Sequence, residues 1–281
     1  MFPALGFETQ PPYIPNDTLI PTFDDVPDGP DPTLPGSPYT TADLSFFDAN
    51  NMHMDFFINT NNWCGPIVGN PAVDDAQCYA SLIDILKLHN PANHTIHHVH
   101  MGSDLPPDTT MMPPTPQSCD GASSGITCDA EMQGVESVIG TMSNGGRPHL
   151  TRFRAPFGEP FQTSGVGLAD VQAVVAKYAV HVGWAMDCQD SNGQTYTGQQ
   201  IADNVLALVG AGPGQGSWGV LLMHGTYAWT KDALPILFGA NGALTKRGFK
   251  LATVEDAICW KFGKHSWEIV QQTSGQTRGQ N

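Results

Sequence analysis

Short apolar runs with strand character alternate, roughly seven times, with longer stretches of helical periodicity between residues 19 and 238. The segments 19–23, 54–59, 150–153, 179–186 and 218–223 are the strand runs, rich in aliphatic and aromatic residues. Those at 41–49, 74–88, 131–142, 168–178 and 199–209 carry apolar residues at helical spacing, and 233–238 opens the last units. Strands separated by helices must run parallel through crossovers, and the helices then cover the sheet. With neither an internal repeat nor an interdomain linker, the alternation favours one α/β domain closed as a β/α barrel over an open sheet. The chain accordingly divides into an extended, Pro-rich lead-in (1–20), a barrel domain (21–270) and a polar tail (271–281). In a barrel of this kind the chemistry sits at the C-terminal ends of the strands.

Charge narrows the partners. Among 281 residues, 12 Lys and Arg face 27 Asp and Glu, a formal net charge of -15. Nucleic acid and anionic membrane surfaces are excluded as natural partners, because neither tolerates so few and so scattered cations. No run reaches the ~18 apolar residues that a membrane helix requires. The 30 Gly and 23 Pro indicate a loop-rich globular protein, and a monomer is expected. The six cysteines lack C-x-x-C spacing, which favours disulfides over a zinc ribbon. Cys64 with Cys78 and Cys119 with Cys128 would each close a short loop, leaving Cys188 with Cys259; buried free thiols are the alternative. Disulfides imply export, so a secreted or periplasmic protein whose signal segment has already been removed is expected.

Three features sit at strand ends. Asp24 and Asp25 end the run 19–23, His94, His97, His98 and His100 cluster after the helix 74–88, and His224 follows the run 218–223. In HTIHH, His94 and His98 are four residues apart, so a helical turn would present both imidazoles on one face toward one metal ion. Two histidines and a carboxylate form a set with open positions, as water-activating divalent ions require. Taken singly, a His-rich patch is as readily a solvated surface, and adjacent acids are usually a solvated turn.

Order and company change that balance. TFDDVPD (22–28), NHTIHH (93–98), RAPFG (154–158), DCQD (187–190) and LMH (222–224) follow one another at strand ends. This pattern, spanning roughly residues 20–258, resembles the polysaccharide deacetylase family, carbohydrate esterase family four. The resemblance implies a distorted, commonly seven-stranded (β/α) barrel and a hydrolase acting on acetylated glycans. It implies Asp24 as general base, Asp25, His94 and His98 as ligands of one divalent ion, zinc or cobalt, and Arg154 as the group that holds Asp24 ionised. It further implies the Phe157 amide as oxyanion donor, His224 as general acid raised by Asp190, and Leu222 as the floor for the acetyl methyl group. His97 and His100 have no part in the pattern and are expected behind the site or on the surface.

Two positions depart from it. Val26 stands where the family usually has Gly, which would reshape the loop after the two acids. Ser191 stands where an aromatic wall is usual; Trp63, Trp184, Trp218, Tyr227 and Trp229 fall near strand ends and could replace it, Tyr227 and Trp229 being the candidates for substrate contact and Trp184 belonging in the core. The reading that follows is an exported, metal-dependent deacetylase of chitin- or peptidoglycan-type glycans. An O-acetyl esterase on acetylated xylan and a catalytically silent glycan-binding protein are the competing readings. A metallopeptidase is disfavoured because H-E-x-x-H is absent.

Overall fold

The computed structural model describes residues 2–27, 39–59, 76–109, 114–142, 150–162 and 167–274. The strands are β1 (Ala4–Leu5), β2 (Thr18–Val26), β3 (Asp55–Ile58), β4 (Asn90–Asn93), β5 (His100–Met101), β6 (Ser118–Cys119), β7 (Arg152–Phe153), β8 (Val180–Val182), β9 (Met186–Asp187), β10 (Gly219–His224) and β11 (Lys250–Leu251). The helices are α1 (Tyr39–Ala49), α2 (Ala76–Leu88), α3 (Cys128–Met142), α4 (Leu168–Val175), α5 (Gly198–Val209), α6 (Ala228–Leu237), α7 (Ala243–Lys246), α8 (Val254–Phe262) and α9 (Ser266–Ser274).

The main sheet is parallel throughout and runs β1-β8-β7-β4-β3-β2-β10-β9, with β11 beside the start of β2. Its closure depends on one run of chain. Residues 180–187 supply β8, which pairs with β7 and β1, and then β9, which pairs with β10. The same segment thus stands next to the edge strand β1 at one end of the strand order and last at the other, and the sheet closes into the distorted β/α barrel expected. Counting that interrupted run once gives eight strands rather than seven. The extra one is β1, inside the Pro-rich lead-in: Leu5 is fully buried and pairs in register with Val182. The lead-in is therefore part of the barrel wall. At the other end, α9 runs across the expected boundary at residue 270.

Alternation along the strands sorts side chains into two sets. Ile20, Phe57, Ala92, Val180, Val182 and Val220 pack together with Leu5 and with Val254 and Ile258 of α8. Leu19, Phe23, Phe56, Ile58, Leu221 and Met223 join the outer core under α1, α2, α5 and α6, where Phe23 packs 5.1 Å from Phe47 and 5.5 Å from Phe56. Helix starts are capped where the sequence allows it. Thr197 and Thr253 each form a reciprocal capping box, with Gln200 and Asp256 respectively.

A Cys119–Cys128 disulfide ties β6 to the start of α3, with the Cα atoms 4.9 Å apart, within the usual range. The expected Cys188–Cys259 pair does not form. Cys188 is buried beside β9 in the outer core, Cys259 lies part-exposed on α8, and both are free thiols. Of the expected Cys64–Cys78 pair, Cys64 falls outside the described residues.

Candidate active site

The site is built where the strands end. Successive residues of a strand normally face opposite ways, yet Asp24 and Asp25 both line one cavity. The cause is a bulge. Phe23 pairs with Phe56 and Val26 with Ile58, so three steps on β2 match two on β3, and Asp25 takes up the slack at φ 61°. Left-handed backbone on a residue other than Gly is the kind of local strain found at functional sites. The residue that follows, Val26, does not share the positive φ of Asp25 and has a fully buried side chain in the outer core. Its Cβ is therefore accommodated in the outer core.

Next to Asp24 on β10 stands His224, its direct register partner. Across β3, His94 follows β4 and Arg154 follows β7. Because Asn93 and Phe153 are paired, the His94 and Arg154 backbones run side by side, and the His94 Nδ1–H donates to the Arg154 carbonyl at 2.9 Å. That bond fixes the tautomer and leaves the Nε2 lone pair facing the cavity. Full burial, the dominant influence, drives the His94 pKa down to about 3, so the ring is neutral and free to act as a ligand.

His94 Nε2 lies 3.6 Å and His98 Nε2 3.3 Å from Asp25 Oδ1. That oxygen is buried and has no hydrogen-bond partner. An orphaned carboxylate oxygen between two imidazole nitrogens, all three atoms within 4.8 Å of one another, is the donor set and spacing a divalent ion needs. The segment that carries His98 is not the helical turn expected from HTIHH. Thr95 and His98 both have positive φ, 62° and 55°, and the chain bends through this stretch. Glu131 of α3 sets the bend, its Oε2 accepting from the Ile96 and His97 amides and its Oε1 meeting His97 Nδ1 at 2.6 Å. Gly134 lets α3 approach; a Cβ there would lie 2.9 Å from the Ile96 side chain.

Two charge pairs flank this triad. Arg154, fully buried inside the barrel, donates from Nη1 to Asp24 Oδ1 at 2.6 Å and to Thr22 Oγ at 2.8 Å, and from Nε to the Val182 carbonyl at 3.1 Å. Its guanidinium lies 4.1 Å over the Phe57 ring. Burial raises the Asp24 pKa against the opposing pull of Arg154 and His224, which makes Asp24 a stronger base than an ordinary carboxylate. On the other side, Asp190 is completely buried and accepts from His224 Nδ1 at 2.8 Å, the His224 amide at 2.8 Å and Thr230 Oγ at 2.6 Å. Burial opposes the charged form of His224, but Asp190 first, then Asp25 and Asp24, outweigh it and raise the imidazole to about 10. Asp190 moves the opposite way: burial alone would raise it, and His224 and Thr230 together hold it below the usual carboxylate value.

The cavity between these groups has a volume of about 410 Å³ and is walled by Phe157, Leu222, Trp184 and Tyr227. Phe157 has φ 58° in the tight turn after Arg154, and its ring, 50% exposed, stacks on His100 at 4.0 Å. Gly158 permits that turn, since a Cβ there would stand 2.7 Å from Trp184. His100 also pairs with Glu159 at 2.9 Å, so both histidines left out of the sequence pattern support neighbouring loops. Trp229 does not reach the cavity. It stacks behind Tyr227 at 5.0 Å and donates its indole N–H to the Asp190 carbonyl. Trp184, expected in the core, packs against the inner cluster and is also an aromatic wall of the site, while Trp218 packs at the start of β10, bonded to the Pro11 and Ile14 carbonyls. Trp63 falls outside the described residues. Thr22, Gln162 and Asp187 also belong to the site, and sequence reasoning gave none of them a role; for Thr22, the period-2 pattern that places it between Ile20 and Asp24 is the signal that could have found it.

No protein-family model matches the chain, and no curated protein matches it by sequence. Solved structures do. A family 4 carbohydrate esterase from Streptomyces lividans in complex with acetate aligns at 24% identity and a TM-score of 0.51, covering 85% of this chain and 93% of that one. The chitin deacetylase of the fungal pathogen Colletotrichum lindemuthianum aligns at 18% identity and 0.57, covering 90% of each. A family 4 pseudoenzyme from Bacillus anthracis aligns at 13% and 0.52, covering 86% of this chain and 65% of that one. The chain has the fold of the family 4 carbohydrate esterases. Since a pseudoenzyme shares it, activity has to be argued from the side chains.

Proposed function

We propose that this protein is a metal-dependent hydrolase of carbohydrate esterase family four that removes acetyl groups from N-acetylated amino-sugar polymers or oligomers of the chitin or peptidoglycan type. The observation that carries the proposal is the unpartnered Oδ1 of Asp25 facing His94 and His98, with a base pair, Asp24–Arg154, and an acid pair, His224–Asp190, opening onto the same cavity. A divalent ion, zinc or cobalt, held by Asp25, His94 and His98 would supply Lewis-acid polarisation of a carbonyl and of a water.

The chain's own residues divide the remaining work. Asp24 takes the proton of the attacking water, and Arg154 keeps the carboxylate ionised and aimed through its short Nη1 bond. The backbone N–H of Phe157 donates to the oxyanion that forms on the acetyl carbon. Leu222, on the cavity floor, packs against the acetyl methyl group. His224, protonated because Asp190 faces its Nδ1, gives its Nε2 proton to the departing amine. Tyr227, backed by Trp229, and Trp184 offer ring faces to the sugar where Ser191 leaves the wall open. The net charge of -15 suits a cationic, partly deacetylated product. Export to the cell exterior or periplasm fits such a substrate.

Replacing Asp24 by Asn tests the base. Acetate release from N-acetylglucosamine oligomers is expected to fall by about 10²–10⁴-fold while bound metal is retained; unchanged turnover would contradict the assignment. Running acetylated xylan beside the oligomers separates the amide from the ester substrate, and release from xylan alone would replace the first reading with the O-acetyl esterase.

A further inference from the structure

The turn between α8 and α9 gathers a second set of ligand-type side chains, none of which lines the cavity. Glu255 and Cys259 stand one turn apart on the same face of α8, and Gly263, at φ 66°, ends that helix and brings His265 back over it. His265 Nδ1 lies 3.4 Å from Cys259 Sγ and 3.1 Å from Glu255 Oε1, and the three ligand atoms fall within 4.8 Å of one another. Tetrahedral zinc bonds of the usual lengths place sulfur, nitrogen and oxygen ligands about 3.4–3.6 Å apart. The observed separations need only a small outward shift.

The carboxylate is already oriented. Ser266 donates its amide to Glu255 Oε1 at 2.8 Å and its hydroxyl to Oε2 at 2.7 Å, while Glu268 receives the His265 amide at 2.7 Å. The surroundings are anionic: partial burial, then Glu255, Asp256 and Glu268, push the Cys259 thiol upward, the effect a nearby cation would reverse. The thiol has no disulfide partner, and the exposed His265 leaves a fourth position open to water.

We propose that Cys259, His265 and Glu255 form a second divalent-metal site, one that takes zinc or another thiophilic ion and clamps α8 to α9. This site stands independently of the deacetylase reading. The test is cobalt(II) loading of the full chain. Two cobalt ions per chain are expected, together with a near-ultraviolet thiolate-to-cobalt charge-transfer band, which Asp25, His94 and His98 cannot produce because they offer no sulfur. The band should vanish in C259S and in H265A and persist in D25N. In the unaltered protein, zinc should slow modification of Cys259 by a thiol reagent at least tenfold. A single cobalt per chain without the sulfur band, a band that survives in C259S, or an unchanged modification rate with zinc would each overturn the proposal.

Discussion

At the scale of single residues, the site separates two acids that are neighbours in sequence. Asp24 is buried against Arg154, whereas Asp25 is turned by its left-handed backbone so that its Oδ1, which has no hydrogen-bond partner, faces the imidazoles of His94 and His98. His224 and Asp190 form the complementary pair, with shifts in opposite directions. The folded imidazole value of about 10 lies above the ordinary 6.5, so the stability that the His224 shift contributes is fully present below pH 6.5 and is lost as pH rises through about 10. The Asp190→Asn variant removes the charge that outweighs burial. His224 should then lose its proton at lower pH, moving the alkaline limb of the acetate-release profile to the acid side and lowering kcat at neutral pH. An alkaline limb left in place would show that Asp190 does not control the acid. Asp24, Asp25 and His224 were legible in the sequence because each follows an apolar run, whereas Arg154 and Asp190 came only with the family resemblance. Trp184 was not legible, because its contact with the cavity comes from its place where the interrupted run 180–187 crosses from one end of the strand order to the other.

At the scale of elements, position is set by register and by loops braced from outside. The pairings Asp24 with His224 and Asn93 with Phe153 bring residues 60 to 200 positions apart within bonding range, and no local pattern encodes them. The i, i+4 spacing of His94 and His98 led to the expectation of a helical turn, which the structure does not contain. The segment is a bend with two positive φ values, and its shape is set by a buried carboxylate on another helix. Glu131→Ala would leave the Ile96 and His97 amides without their acceptor and loosen His98. Metal affinity, followed by competition with a chelator, should fall about 10–100-fold with the barrel still folded. Affinity equal to that of the unaltered protein would mean that the loop holds its shape without α3. Cys119 and Cys128 pair as expected, but the Cys188–Cys259 pairing fails at this scale too, since Cys188 is sealed in the outer core and Cys259 is held on α8 against His265.

At the scale of the whole molecule, the strand–helix alternation carried the barrel, while its closure was hidden in two places. The lead-in contributes β1, and the run 180–187 stands next to β1 at one end of the strand order and last at the other. Among the described residues no helix is long and apolar enough to cross a membrane. A shared fold with a pseudoenzyme leaves one question decisive: whether the donor set at the barrel mouth holds a metal that the chemistry requires. The direct measurement is acetate release from N-acetylglucosamine oligomers by the purified protein, stripped with chelator and then supplied with zinc or cobalt. Release should stop on stripping and return with either ion in the unaltered protein, and neither ion should restore it in D25N. Release that continues in the stripped protein, or that zinc and cobalt both fail to restore, would contradict the metal-dependent reading.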